Sequence, residues 1–175
     1  MKAAENTMTR IDRSKRALGT ALNRDKPSQA AEVLVARGLV KGRVLDYGCG
    51  FGFDANQFGW ESYDPYYQPR EPEGQFDTIV CTLVLNALSR NNRARVISRV
   101  RELLAPEGSA YFAVARNLPK TGKMGVHHSL QNHVVLTLLS VFADKQLEIY
   151  QFHKDSHFED KTKDYVSRRD RRRDK

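Results

Sequence analysis

Arg43-Val44-Leu45-Asp46-Tyr47-Gly48-Cys49-Gly50-Phe51-Gly52 is a short apolar run that ends in an aspartate and passes into three glycines at alternate positions. The run from Val44 to Tyr47 reads as a buried strand, and the glycines as the loop at its C-terminal end. Without a Cβ, Gly48 and Gly50 let the backbone turn sharply and approach a ligand closely. The N–H groups of such a loop, with those of a following helix N-terminus, suit an anionic group. Asp46 supplies a carboxylate that can receive an ammonium group or orient the loop. A dinucleotide fingerprint needs another glycine three positions after Gly50. Phe53 stands there instead, so a nicotinamide dinucleotide is not the expected ligand.

Working outward, Pro27-Ser28 has the chemistry of a helix start, and Gly38 that of a helix stop. Ala30, Val33, Leu34 and Arg37 recur between them at helical spacing. A weaker helix is expected over 17–24. Phe53 to Phe58 gives a turn or two of helix ended by Gly59. Glu61 to Asp64 reads as a second short strand closed by Pro65, and Pro69 and Pro72 mark 66–74 as loop. Phe76 to Val84 is a β-branched, nearly continuous apolar run, as expected of a strand buried on both faces. A helix follows over 89–104, with Val96, Val100 and Leu103 on one stripe and most of Arg90, Arg93, Arg95, Arg99 and Arg101 facing solvent. Ala105 to Gly108 reads as a turn, Ser109 to Ala115 as a strand, 116–129 as a loop, Leu130 to Phe142 as a core helix and Gln146 to Phe152 as a last strand. Strands alternating with helices predict one α/β domain, Rossmann-like, with a mostly parallel sheet and helices on both faces. The domain is expected over 17–158, between a flexible segment at 1–16 and a charged basic tail at 159–175.

Charge narrows the partners. The chain has 175 residues, 29 Lys plus Arg against 21 Asp plus Glu, and a formal net charge of +8. This surplus favours anionic partners such as nucleic acid. It is concentrated at Arg168-Arg169-Asp170-Arg171-Arg172-Arg173-Asp174-Lys175, a run of six basic and two acidic residues. The two cysteines, Cys49 and Cys81, form no CxxC pair and no disulfide framework, which fits a reducing cytoplasm. Met1 to Arg16 has no apolar signal-peptide core. No run approaches the ~18 apolar residues of a membrane span.

Several side chains carry two readings each. Asp64, at the end of the second strand, can accept both hydroxyls of a ribose, or it is a turn aspartate before Pro65. Asn86 is the best-placed polar residue to face a substrate, and equally a turn cap. His127, His128 and His133 offer a base near neutral pH, or are ordinary surface histidines. Tyr66 and Tyr67 can stack on a nucleobase, or pack their proline-rich loop. Cys81 reads as inert core, and Cys49 has no visible activating partner. His153 and His157 lack the glutamate and third ligand of a zinc motif, so no metal site is expected.

Val44-Leu45-Asp46-Tyr47-Gly48-Cys49-Gly50-Phe51-Gly52 resembles the first motif of class I S-adenosylmethionine-dependent methyltransferases. Phe76-Asp77-Thr78-Ile79-Val80 looks like their fourth strand, and Leu103-Leu104-Ala105-Pro106-Glu107-Gly108 like the turn before their fifth. Thr20-Ala21-Leu22-Asn23-Arg24 with Pro27-Ser28, Asp46-Tyr47-Gly48-Cys49-Gly50, Asp64-Pro65-Tyr66-Tyr67 and Val84-Leu85-Asn86 are similar to the methyltransferases associated with DNA phosphorothioation. The resemblance implies a seven-stranded sheet with S-adenosylmethionine over the first strand ends. By position, Gly48, Cys49 and Gly50 would meet its methionine half through backbone atoms, Asp64 its ribose, and Thr82 and Leu83 its floor, with Asp46 and Gly52 also among the cofactor-binding residues. It departs from the family in a shortened first crossover and an unidentifiable third strand. It also lacks the Asn/Asp-Pro-Pro-Tyr/Phe motif of base amino-methylation. The reading is a methyltransferase acting on nucleic acid; the alternative is a non-catalytic module of that fold that binds nucleic acid or a partner protein.

Overall fold

The computed structural model describes residues 21–125 and 129–166. The strands are β1 (Val44–Tyr47), β2 (Glu61–Tyr63), β3 (Phe76–Thr82), β4 (Leu104–Ala115), β5 (Lys123–Met124), β6 (Leu130–Gln131), β7 (Leu139–Ala143) and β8 (Leu147–His153). The helices are α1 (Gln29–Ala36), α2 (Phe53–Phe58) and α3 (Arg90–Leu103), with a 3-10 turn over Leu85–Ala87. Six strands form the main sheet in the order β2-β1-β3-β4-β8-β7, and β5 pairs with β6 apart from it. The pairs β1–β2, β1–β3 and β3–β4 are parallel, whereas β8 runs antiparallel to both β4 and β7. This is the expected Rossmann-like arrangement, with six strands rather than seven in the main sheet among the described residues. Among the described residues no strand lies beyond β2; the proline-bearing segment after it folds back through a bridge between Asp64 and Gln68.

The continuous apolar pattern of β3 has its physical cause in two cores. Ile79 and Cys81 face a cluster with Ile97, Val100 and Leu103 of α3. Val80 faces the opposite cluster, with Ala30 and Leu34 of α1 and Tyr111 of β4. Ser28 caps α1 by accepting the Ala31 N–H at 3.1 Å. Gly59 ends α2 in the left-handed region at φ 71°, a conformation open to glycine at little cost. None of the described helices is long and apolar enough to cross a membrane.

Four expectations are corrected. The helix expected over Leu130 to Phe142 is instead β6, an extended connection and β7. Asn132, Val134 and Leu136 are buried in alternation with less buried neighbours, the two-residue period of extended chain. That connection pairs with a later segment: Thr137 N–H donates to Glu159 O at 3.1 Å, and Lys161 N–H to Val135 O at 2.8 Å. The tail expected from 159 therefore begins as part of the fold, with Thr162 only 2% exposed. The third correction is Arg93, expected on a solvated helix face and found completely buried. It donates to Asp160 at 2.7 Å, Asp164 at 2.6 Å and the Leu88 carbonyl at 2.7 Å. Residues 21–24, where a weak helix was expected, have no regular structure.

Candidate functional site

The glycine loop is held from three sides. Gly48 has φ +81°, and a Cβ there would sit 2.3 Å from Cγ2 of Val84, just past β3. Gly50 lies under the segment 21–28, where a Cβ would meet Ala21 Cβ at 2.7 Å. Gly52, in the turn that opens α2, packs against Gln68. Each close approach leaves no room for a side chain, so the spacing of the glycines follows from the elements around them.

Beside this loop, at the C-terminal ends of β1 and β3, lies a cleft of about 580 Å³. Its wall comprises Ala21 to Arg24, Gly48 to Phe51, Phe53 and Asp54 of α2, Thr82 to Val84, and Lys123 and Gln131 of the β5–β6 hairpin. This is where ligands bind in open α/β sheets. Of the expected cofactor residues, Gly48, Cys49, Gly50, Thr82 and Leu83 reach this wall together. Leu83 holds φ 61°, an uncommon conformation for a side chain of that kind, and its N–H donates to Ala113 O at 2.8 Å. The Thr82 hydroxyl is buried without a hydrogen-bond partner among the described residues. A buried polar atom in that state is expected to be paired by an ordered water or a ligand. The cradle that any Cβ would fill and this free hydroxyl both fit a cofactor held along the loop.

Other expected residues stand behind the wall. Asp46 is 3% exposed. Burial, followed by the nearby Asp54 and Asp64 carboxylates, pushes its carboxyl up to about 7 against the pull of Arg24. Asp64 is 8% exposed and has both oxygens in use. Oδ2 accepts the Gly50 N–H at 3.1 Å, and Oδ1 accepts those of Tyr66 and Tyr67 at 2.8 and 3.0 Å. In this structure it orders the glycine loop as a turn aspartate does. Asn86 is likewise a strut. At 1% exposure, its Nδ2 donates to Asn132 O at 2.7 Å and its Oδ1 accepts the Ala115 N–H at 2.9 Å. Its expected substrate-facing position is not found.

Tyr66 and Tyr67 form an aromatic group with Phe51, with ring centroids 4.5 Å apart for Phe51–Tyr67 and 4.7 Å for Tyr66–Tyr67. Phe51, on the cleft wall, is 52% exposed, and Tyr66 is 49% exposed. His127 and His128 lie outside the described residues. His133 sits with its Nδ1 3.2 Å from the Leu118 carbonyl. Desolvation, then Asp46 and Asp64, push the Cys49 thiol up to about 12, which keeps it protonated and unreactive.

The residues missed by sequence reading are those that hold segment 21–28 over the loop. Asp54 accepts the Ser28 N–H at 2.8 Å, the Ser28 hydroxyl at 2.6 Å and Arg24 at 3.2 Å. The sequence signal was an acidic residue in the first turn of α2, which alone marks only a favourable helix-dipole position. Its partners are 26 and 30 residues away in the chain, beyond any local pattern.

A family model described as a methyltransferase domain matches residues 13–150. No curated protein matches the chain. Among solved structures, a protein studied for the conversion of a disulfide bond into a thioacetal group during echinomycin biosynthesis is 15% identical. The match covers 83% of this chain and 90% of that one, with a TM-score of 0.50. Burkholderia thailandensis 1,6-didemethyltoxoflavin-N1-methyltransferase is 17% identical over 70% of this chain and 75% of its own, with a TM-score of 0.49. The glycopeptide N-methyltransferase MtfA complexed with sinefungin is 16% identical over 73% and 70%, with a TM-score of 0.43. The first of these speaks to fold; the match over 13–150, together with the glycine-loop cleft, establishes that the chain belongs to the methyltransferase-domain family, with S-adenosylmethionine as its cofactor.

Proposed function

We propose that the protein is an enzyme that transfers the methyl group of S-adenosylmethionine to nucleic acid in the cytoplasm. The carrying observation is the half-exposed aromatic group Phe51–Tyr67–Tyr66 at the edge of the cleft, a surface on which a nucleobase can stack. The formal charge of +8 and the cationic Lys123 on the wall support the same class of acceptor. The free thiols Cys49 and Cys81 fit a reducing compartment.

The cofactor supplies an electrophilic methyl on a sulfonium whose departure leaves a neutral thioether. What the chain contributes is position, the main requirement of an in-line displacement. The glycine loop with its Phe51, Thr82, Lys123 and the Arg24–Asp54 pair line the cleft together. A non-catalytic module of the same fold is favoured by one observation: Asp64 and Asn86 are both engaged in internal hydrogen bonds.

Calorimetric titration with S-adenosylmethionine separates the two. Saturable binding is expected, and its absence in the intact protein establishes the non-catalytic module. Labelled methyl transfer then tests the acceptor. Incorporation into DNA or RNA is expected; label in proteins or small molecules alone overturns the nucleic-acid reading.

A further inference from the structure

Two parts of the cleft wall are held in different ways. The glycine loop is fixed to the end of β2 by its backbone. Gly48 and Cys49 N–H both donate to the Tyr63 carbonyl, at 2.7 and 3.1 Å, and Gly50 N–H donates to Asp64 at 3.1 Å. The strap 21–28 has no such ties. Ala21 to Arg24 line the cleft. Yet residues 21–27 have no helix or strand and make no backbone–backbone hydrogen bond among the described residues. Leu22 in its middle is 71% exposed. A segment with so little backbone pairing opens locally unless side chains hold it.

The side chain that holds it is Asp54, only 5% exposed on α2. Its Oδ1 accepts the Ser28 N–H at 2.8 Å, and its Oδ2 accepts the Ser28 hydroxyl at 2.6 Å and Arg24 Nη1 at 3.2 Å. Hydrogen bonds to an ionised acceptor are the stronger kind. Ser28 also caps α1 through the same hydroxyl oxygen, which accepts the Ala31 N–H at 3.1 Å. Asp54 therefore grips the strap at its joint with α1.

We propose that the strap 21–28 is a gate on the cofactor cleft, and that Ser28 and Asp54 are positioning residues whose bonds latch it closed over S-adenosylmethionine. This rests on S-adenosylmethionine as the ligand of the cleft and does not depend on the acceptor. The consequence is linkage: a cofactor that binds the closed strap strengthens the latch by the same factor by which the latch strengthens its binding. If a weakened latch leaves the strap closed a tenth of the time, the affinity falls about tenfold.

Ser28 separates the latch from direct contact with the cofactor, because it is buried and does not line the cleft, whereas Asp54 does. Its two tasks also come apart. Ser28→Ala removes both the cap of α1 and the bond to Asp54. Ser28→Asp keeps a good helix cap but sets a carboxylate, in place of a donor, against Asp54. A role confined to α1 spares Ser28→Asp; a latch makes it the worse of the two.

The test uses the full chain as wild type, Ser28→Ala and Ser28→Asp at pH 8. Calorimetry reads S-adenosylmethionine affinity, hydrogen exchange followed by mass spectrometry reads opening of 21–28 with and without saturating cofactor, and thermal unfolding checks folding. Cofactor is expected to slow exchange of the wild-type strap. Ser28→Ala should lose about threefold in affinity and Ser28→Asp about tenfold or more, with strap exchange in the free proteins rising in that order. Folded Ser28→Asp with wild-type affinity overturns the latch. Wild-type strap exchange that cofactor leaves unchanged overturns the gate, and this measurement decides the question if Ser28→Asp does not fold. A wild type that binds no S-adenosylmethionine overturns the gate together with the enzyme reading.

Discussion

At Gly48 the backbone sits at φ +81° with Val84 Cγ2 2.3 Å from where a Cβ would be, so Gly48→Ala combines backbone strain with a clash that forces Val84 or the loop to shift. Either shift moves the cofactor contact. At least a tenfold loss of S-adenosylmethionine affinity by calorimetry is expected, with the circular dichroism of the folded protein retained; unchanged affinity refutes the loop as the cofactor cradle. Asp46 makes the second residue-scale prediction. Burial, then Asp54 and Asp64, raise its carboxyl to about 7 against Arg24, while an unfolded chain titrates near 3.9. Between those values the folded state holds a proton that the unfolded state has lost. Its contribution is therefore complete below about pH 4 and disappears as pH rises through 7. Asp46→Asn should flatten this slope and gain on the order of 3 kcal/mol relative to the wild type at pH 8. Urea unfolding at pH 5 and pH 8 reads the difference; parallel behaviour of the two proteins rules the account out.

At the level of elements, α3 shows how one residue can reverse a helical pattern. The arginines of this helix read as a solvated face, and Arg93 became its buried anchor because two carboxylates 67 and 71 residues later meet it. Removing one partner of a buried pair costs about 3–5 kcal/mol because the other charge is left uncompensated. Arg93→Ala is expected to fall in that range by urea unfolding. Asp164→Asn should cost less, since that side chain is 35% exposed and its charge can be hydrated. Equal losses in the two variants contradict the anchor. Burial works to raise the Asp160 carboxyl, but hydrogen bonds from Thr162 and Arg93 outweigh it and hold the group below its ordinary value. This contribution is present above the usual aspartate range and is lost in acid, as pH falls through the lowered value.

For the whole molecule, the sheet ends at β2 on one side and is completed on the other by the β7–β8 hairpin, with the chain returning to close the fold at 159–166. A groove of about 570 Å³ borders β2, between Trp60 and the segment 68–73, where the resemblance placed a further strand. Ending the chain after Phe158 removes Asp160, Thr162 and Asp164, and should abolish cooperative thermal unfolding. Ending it after Val166 keeps all of them and should leave the melting temperature within about 2 °C of the full chain, as for surface changes of ~0.5 kcal/mol. Circular-dichroism melts of both truncations check this, and a stable protein ending at Phe158 refutes the closing role. The sequence boundary at 159 was misplaced because Asp, Lys and Thr in 159–166 have the composition of a solvated tail. Their partners Arg93, Val135 and Thr137 lie in parts of the chain that no local pattern connects to them.

The glycine loop, the two-faced strand β3, the stripe of α3 and the α/β class were all legible in the amino-acid order, because each rests on local spacing: glycine at alternate positions, β-branched runs and a 3.6-residue stripe. The tertiary structure decided what each polar group does. Asp64 and Asn86 have residue types suited to ribose and substrate, yet their hydrogen bonds go to Gly50, Asn132 and Ala115. A buried polar group must be paired, and which group reaches it is settled only when distant segments pack. The same packing brings Asp54 to Ser28 and leaves the Thr82 hydroxyl without a partner among the described residues, at the wall of the cleft.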